Sequence, residues 1–174
     1  MGKRSSFERI PRDFYPTPYE AVVPLLRELV FPVRFVEPCA GDGRLIDHLE
    51  SAGHECLLAY DITPGRDDIA EGNALLSTHC DDADCIITNP PWSRDVLHPL
   101  IVNLSRQAPT WLLFDADWMH TRQSSELMKL CRKIVSVGRV KWIPDSPFTG
   151  KDNCCWYLFD ANAEAPAEFI GRAA

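Results

Sequence analysis

Asn89, Pro90, Pro91 and Trp92 follow one another directly after the apolar run Cys85-Ile86-Ile87-Thr88. Two consecutive prolines cannot continue a strand ladder, because neither has an N–H and both fix φ, so the chain must turn stiffly there. The Asn89 side-chain oxygen and the Pro90 carbonyl are then acceptors with no competing proline donor beside them. Such a pair can hold both hydrogens of an exocyclic or side-chain amino group, draw its nitrogen towards tetrahedral geometry and free the lone pair for attack. Trp92 adds a flat face for stacking a planar substrate. The chemistry indicated is attack by a held nitrogen; the competing reading is a rigid turn with a core tryptophan.

A second constellation is acidic. In Glu37-Pro38-Cys39-Ala40-Gly41-Asp42-Gly43 the glycines let backbone approach a ligand, and Glu37 could hold an ammonium but would repel a pyrophosphate. Gly41-Asp42-Gly43-Arg44-Leu45-Ile46 lacks the third glycine of the dinucleotide fingerprint, which disfavours a nicotinamide oxidoreductase. Asp61 lies 18 residues beyond Gly43, a spacing that suits an acid accepting from both ribose hydroxyls. Asn73, after Gly72, could pair with an adenine edge, with a plain turn as the alternative.

These residues need strand ends to hold them. Val33 to Glu37, Glu55 to Asp61, Asp84 to Thr88 and Trp111 to Phe114 read as short buried strands. Helices are expected from about Arg44 to Ala52 (ended by Gly53), from Arg94 to Arg106 and around Ser124 to Cys131. An earlier helix begins near Thr17, a candidate N-cap, with Pro18 in its first turn and Pro24 disturbing it. Ile134 to Val140 and Cys154 to Phe159, with no helix between them, form an antiparallel edge pair. The expected architecture is a three-layer α/β sandwich, a mostly parallel Rossmann-like sheet whose ligands bind beyond the carboxyl ends of the strands.

The chain has 174 residues, which fits one domain: a polar lead-in over 1–12, a catalytic domain over 13–162 and a tail over 163–174. No separate target-recognition domain fits. A 45% hydrophobic fraction excludes wholesale disorder, and no apolar run is long enough to span a bilayer, so a cytoplasmic, membrane-free protein is expected. The 7 cysteines form no Cys-x-x-Cys pair, and adjacent Cys154 and Cys155 must face opposite sides of a strand, so no metal site is expected. The formal net charge of -7 is unevenly spread, at -11 over residues 37–119 and +5 over residues 120–151. Arg122, Lys129, Arg132, Lys133, Arg139, Lys141 and Lys151 could therefore meet phosphates, or simply form a solvated face.

The order Tyr15-Pro16-Thr17-Pro18, Glu37 to Gly43, Asp61, Asn73 and Asn89-Pro90-Pro91-Trp92 resembles the class I S-adenosylmethionine-dependent amino-methyltransferases. It is most similar to small phage-type DNA adenine-N6 methyltransferases, which it also resembles in length and in the late Gly150 to Phe159 segment. The resemblance spans about residues 13 to 160. It implies S-adenosyl-L-methionine as cofactor, with Tyr15, Thr17 and Pro18 closing over it. Glu37, Cys39, Ala40 and Gly41 would line its methionine part, Asp61 would bind ribose, Ile62 would pack on adenine and Asn73 would meet the adenine amino edge. The family more often carries Asp at the position of Asn73. Asn89, Pro90, Pro91 and Trp92 would form the target-amine site, and the Trp142 to Asp152 loop, with Phe148 and Lys151, would cover the substrate unless it is a passive connection. Pro38-Cys39 resembles the nucleophile of cytosine-C5 enzymes but sits in the cofactor turn. The implied substrate is DNA, with a homodimer or a partner supplying specificity. RNA bases and protein glutamine are alternative amines, and a non-catalytic binding module is the alternative of another class.

Overall fold

A computed structural model of the chain describes residues 15–76, 81–143 and 149–172. Among the described residues, eight strands form one sheet: β1 (Arg34–Glu37), β2 (Glu55–Asp61), β3 (Ala70–Glu71), β4 (Cys85–Thr88), β5 (Thr110–Asp115), β6 (Cys131–Arg139), β7 (Asn153–Phe159) and β8 (Glu168–Ile170), in the order β3-β2-β1-β4-β5-β7-β6-β8. The pairs from β3 through β5 are parallel, and β7 runs antiparallel to both β5 and β6.

Alternation along each strand builds the three layers. Phe35, Ile87, Leu113 and Trp156 join the core that packs α1 (Tyr19–Leu26) and α2 (Arg44–Ser51). Their chain neighbours Val36, Ile86, Leu112 and Tyr157 join the opposite core, against α3 (Arg94–Ser105). Both faces are covered, so the central strands are apolar throughout rather than alternating with polar residues. Cys154 and Cys155 fall into different cores, as adjacent strand residues must. Gly53, at φ 92°, donates its N–H to the Glu50 carbonyl and closes α2.

Several expectations are corrected. Thr17 does not cap α1: Pro18 is the boundary residue, no side chain caps the helix, and the Thr17 hydroxyl is engaged elsewhere. The helix expected around Ser124 to Cys131 is replaced by short 3₁₀ turns at Arg122–Ser124 and Leu127–Leu130. The Ser124 hydroxyl donates to the Met119 and Thr121 carbonyls and that of Ser125 to Arg122, so side chains compete for the acceptors a helix needs. Cys131 is drawn instead into β6.

The antiparallel pair β6–β7 is present but is not the sheet edge. Glu168–Ile170, within the expected tail, pairs in parallel with β6 and covers it. The Arg132 guanidinium fastens this return by donating to the Ala163 and Ala165 carbonyls.

Candidate active site

β1 has β2 on one side and β4 on the other, so the connections diverge between β1 and β4 and open a crevice at their carboxyl ends. Glu37 ends β1 and Asn89 follows β4. The sequence therefore delivers its two chemical constellations to one place.

The glycine turn is built by backbone and by Asp61. Gly41 and Gly43 have φ of 54° and 77°, a region that disfavours side chains, and the Gly43 N–H donates to the Ala40 carbonyl at 2.8 Å. Ala40 donates to the Tyr60 carbonyl at 3.1 Å. Asp61 Oδ2 accepts from the Gly41 N–H at 2.9 Å, while its Oδ1 accepts from the Thr63 N–H at 2.8 Å. Asp61 thus ties β2 to the turn, and each oxygen retains capacity for a second donor.

Glu37 is 1% exposed, and its Oε2 has no hydrogen-bond partner among the described residues. Burial pushes this carboxyl well above its ordinary range, and the negative charges of Asp42 and Asp61 push it further. An acid held this way suits a cationic ligand, which would satisfy the orphaned oxygen and remove the repulsion. Burial, and then the charges of Asp61 and Glu37, push the Cys39 thiol up to about 12, so it stays protonated and is unsuited to nucleophilic attack.

Arg66, to which the sequence reading gave no role, closes the turn from outside. Its guanidinium binds Asp68 and Asp47, at 2.8 Å and 2.6 Å, and lies so close to Gly43 that an added Cβ would stand 2.4 Å from its Cζ. The neighbouring Gly65 N–H donates to the Gly41 carbonyl at 2.8 Å. Asp68 is two residues away in the same connection, but Asp47 lies on α2, 19 residues earlier, so the link from Arg66 to the turn is not local in sequence.

Ile62, next to Asp61, is 54% exposed, as a surface for a flat ring requires. Asn73 is also exposed, but its Oδ1 accepts from the Leu75 N–H at 2.9 Å in a local turn, the alternative that Gly72-Asn73 had left open.

Around Asn89 the geometry is more closed. Asn89 Nδ2 donates to the Tyr15 carbonyl at 3.2 Å and to Thr17 Oγ1 at 3.1 Å. Trp92 Nε1 donates to Asn89 Oδ1 at 3.3 Å and to the Leu113 carbonyl at 3.2 Å. The indole N–H therefore points inward, and the half-buried ring also packs on both cores. Pro90 is buried and Pro91 half-buried.

Trp142, just beyond β6, is the first residue of the loop expected to cover the substrate. Its ring stands 5.7 Å from Trp92 at 82° and 6.3 Å from Tyr15 at 59°, completing an aromatic wall beside Asn89. The Gly150 N–H donates to the Val140 carbonyl at 2.8 Å, which brings exposed Lys151 to the same rim. Phe148 lies outside the described residues.

The basic segment is partly consumed within the fold. Lys129 pairs with Glu126, Lys133 with Glu28 and Glu168, and Arg132 holds backbone carbonyls. Arg139, Lys141 and Lys151 remain grouped by the β6–β7 connection near Trp142.

No family model matches the chain, and no curated protein matches it in sequence. Its fold does match solved structures. A protein from Pyrococcus horikoshii described as a candidate RNA methyltransferase aligns over 91% of this chain and 92% of its own, with TM-score 0.62 and 15% identity. A candidate class I S-adenosylmethionine-dependent methyltransferase from Listeria monocytogenes gives TM-score 0.60 and 12% identity, over 93% of this chain and 66% of its own. A dimethyladenosine transferase from Plasmodium falciparum gives 0.55 and 17% over 84% of this chain and 62% of its own. The chain has the Rossmann-like methyltransferase fold.

Proposed function

We propose that this chain is an S-adenosylmethionine-dependent methyltransferase acting on an exocyclic amino nitrogen, adenine N6 in DNA. The observation that carries the proposal is that Asn89, with its amide orientation fixed, directly follows β4, while the neighbouring strand β1 ends on Glu37, whose buried Oε2 has no hydrogen-bond partner among the described residues. The cofactor would supply a methyl group on a sulfonium, ready for transfer to a nucleophile.

Glu37 would hold the cationic end of that cofactor, Asp61 the ribose hydroxyls, and Ala40 and Gly41 the methionine part. Cys39, Ile62, Asn73, Tyr15 and Pro18 would complete the cofactor surround. Asn89 Oδ1 and the Pro90 carbonyl would accept the two amine hydrogens, so that the nitrogen lone pair faces the methyl carbon. Glu37 and Asp61 would hold the cofactor so that its methyl group meets the nitrogen held by Asn89 and Pro90; the carbon–sulfur electron pair would leave with sulfur, and the amine proton would pass to solvent water. No covalent intermediate on the protein is needed, and rate would come from positioning and polarisation.

Adenine is favoured by the motif order and by the description of one structural neighbour as a dimethyladenosine transferase. An RNA base is the second reading, because another neighbour is described as a candidate RNA methyltransferase. Arg139, Lys141 and Lys151 beside Trp142 and Trp92 would meet the phosphates of either polymer, while an adenine from a duplex must first be flipped out.

Replacing Asn89 with Ala should lower kcat about a hundredfold, comparable to losing one preorganised polar contact to a transition state. Cofactor Kd should stay within about twofold. Asp61→Ala should instead raise that Kd roughly tenfold or more, since it removes charge-assisted hydrogen bonds. Calorimetry and single-turnover kinetics on both variants check this, and the reverse pattern would contradict the site assignment.

A further inference from the structure

The structure assigns Thr17 to the amine site as a positioning residue for Asn89, rather than to the lid over the cofactor. This inference rests on the proposed role of Asn89. Thr17 is 5% exposed and does not cap α1, so its hydroxyl has another task. Its Oγ1 accepts from Asn89 Nδ2 at 3.1 Å, and the Tyr15 carbonyl accepts from the same nitrogen at 3.2 Å.

These contacts decide which way the amide faces. A flipped Asn89 would set its oxygen against the Tyr15 carbonyl and its NH₂ group against the Trp92 N–H, pairing acceptor with acceptor and donor with donor. With Nδ2 committed to the segment before α1, Oδ1 is directed to the Trp92 side and keeps one lone pair for a substrate hydrogen. Donation from Nδ2 also polarises the amide and makes Oδ1 the stronger acceptor. The Tyr15 to Thr17 segment therefore sets the acceptor strength and direction of Asn89 across a sequence separation of 72 residues.

The test compares Thr17→Val, which keeps shape but loses the acceptor, with Thr17→Ser, which keeps it. Cofactor Kd, kcat, KM, the side-chain amide resonances of Asn89 and the indole N–H resonance of Trp92 are measured on each. Thr17→Val should lower kcat roughly tenfold, about the effect of one net hydrogen bond, with cofactor Kd within about twofold. It should also shift the Asn89 Nδ2 and Trp92 Nε1 proton resonances, while Thr17→Ser restores both rate and spectrum.

A Thr17→Val variant with weakened cofactor binding and unchanged kcat would return Thr17 to the cofactor lid and overturn the inference. Unchanged rate and spectrum would overturn it as well. If the wild-type protein transfers no methyl group, the functional reading fails by itself. The resonances then decide alone whether Thr17 orients Asn89, and unshifted signals in Thr17→Val reject it.

Discussion

Glu37 carries most of the electrostatic tension in this site. Its folded-state carboxyl titrates well above its ordinary value of 4.5, first because it is buried and then because Asp42 and Asp61 stand near it, with Arg66 opposing. An acid protonated more readily when folded than when unfolded contributes fully to stability below the unfolded value. That contribution is lost as pH rises from there towards the folded value. Glu37→Gln should therefore flatten the pH dependence of melting above pH 4.5 and raise the melting temperature of the free protein at neutral pH. A cationic cofactor needs the ionised form, so its binding should release a proton and tighten as pH rises through the folded-state value. Glu37→Gln should weaken that binding roughly tenfold to a hundredfold, the range of a charge-assisted hydrogen bond, and abolish the proton release. Calorimetry in buffers of different ionisation enthalpy measures the released proton directly. Binding with no pH dependence in the wild-type protein would contradict this role.

Among the elements, the β2–β3 connection does more than link strands. Through Gly65 and Arg66 it presses on the turn that joins β1 to α2, and only a residue without Cβ fits at 65. A methyl there would lie 2.9 Å from the Gly41 carbonyl oxygen and 3.0 Å from Asp42 Cα, both backbone atoms that cannot swing aside. Gly65→Ala should cost about 1–3 kcal/mol of stability, in the manner of an overpacked site. It should also weaken cofactor binding severalfold by lifting the connection off the turn. Equilibrium denaturation and calorimetry test both effects, and unchanged affinity would remove the connection from the site. This device was not legible in the sequence. Pro64-Gly65-Arg66 reads as an ordinary turn, and its distant partners Gly41 and Asp47 are brought to it only by the fold. The central strands were legible because a sheet covered on both faces demands uninterrupted apolar runs such as Cys85-Ile86-Ile87. The segment expected as a helix around Ser124 to Cys131 was not, because the Ser124 and Ser125 hydroxyls share the Thr121 and Arg122 carbonyls with backbone N–H groups in short 3₁₀ turns. Strand β8 is too short and too exposed to announce itself, since Glu168 and Phe169 face solvent and its pairing depends on β6 and Arg132.

At the scale of the whole molecule, the fold gathers Glu37, Asp61 and Asn89 at the carboxyl ends of adjacent strands where the strand order reverses, while Lys133 is held in ion pairs and Arg132 on backbone carbonyls. Of the acids in the middle segment, Glu37 and Asp61 lie at the ends of β1 and β2. Motif chemistry was legible from local sequence, since a stiff Asn-Pro-Pro turn depends on its own residues. The closure around Asn89 was not, because Thr17 and Trp142 reach it from opposite ends of the chain. The central claim is transfer of a methyl group to an adenine amine. Its most direct measurement is incubation with methyl-labelled S-adenosylmethionine and parallel pools of duplex DNA, single-stranded DNA, RNA and protein, followed by mass spectrometry of the modified monomer. Label recovered as N6-methyladenine from DNA is the predicted result; label recovered only from protein, or from none of the pools, would contradict it.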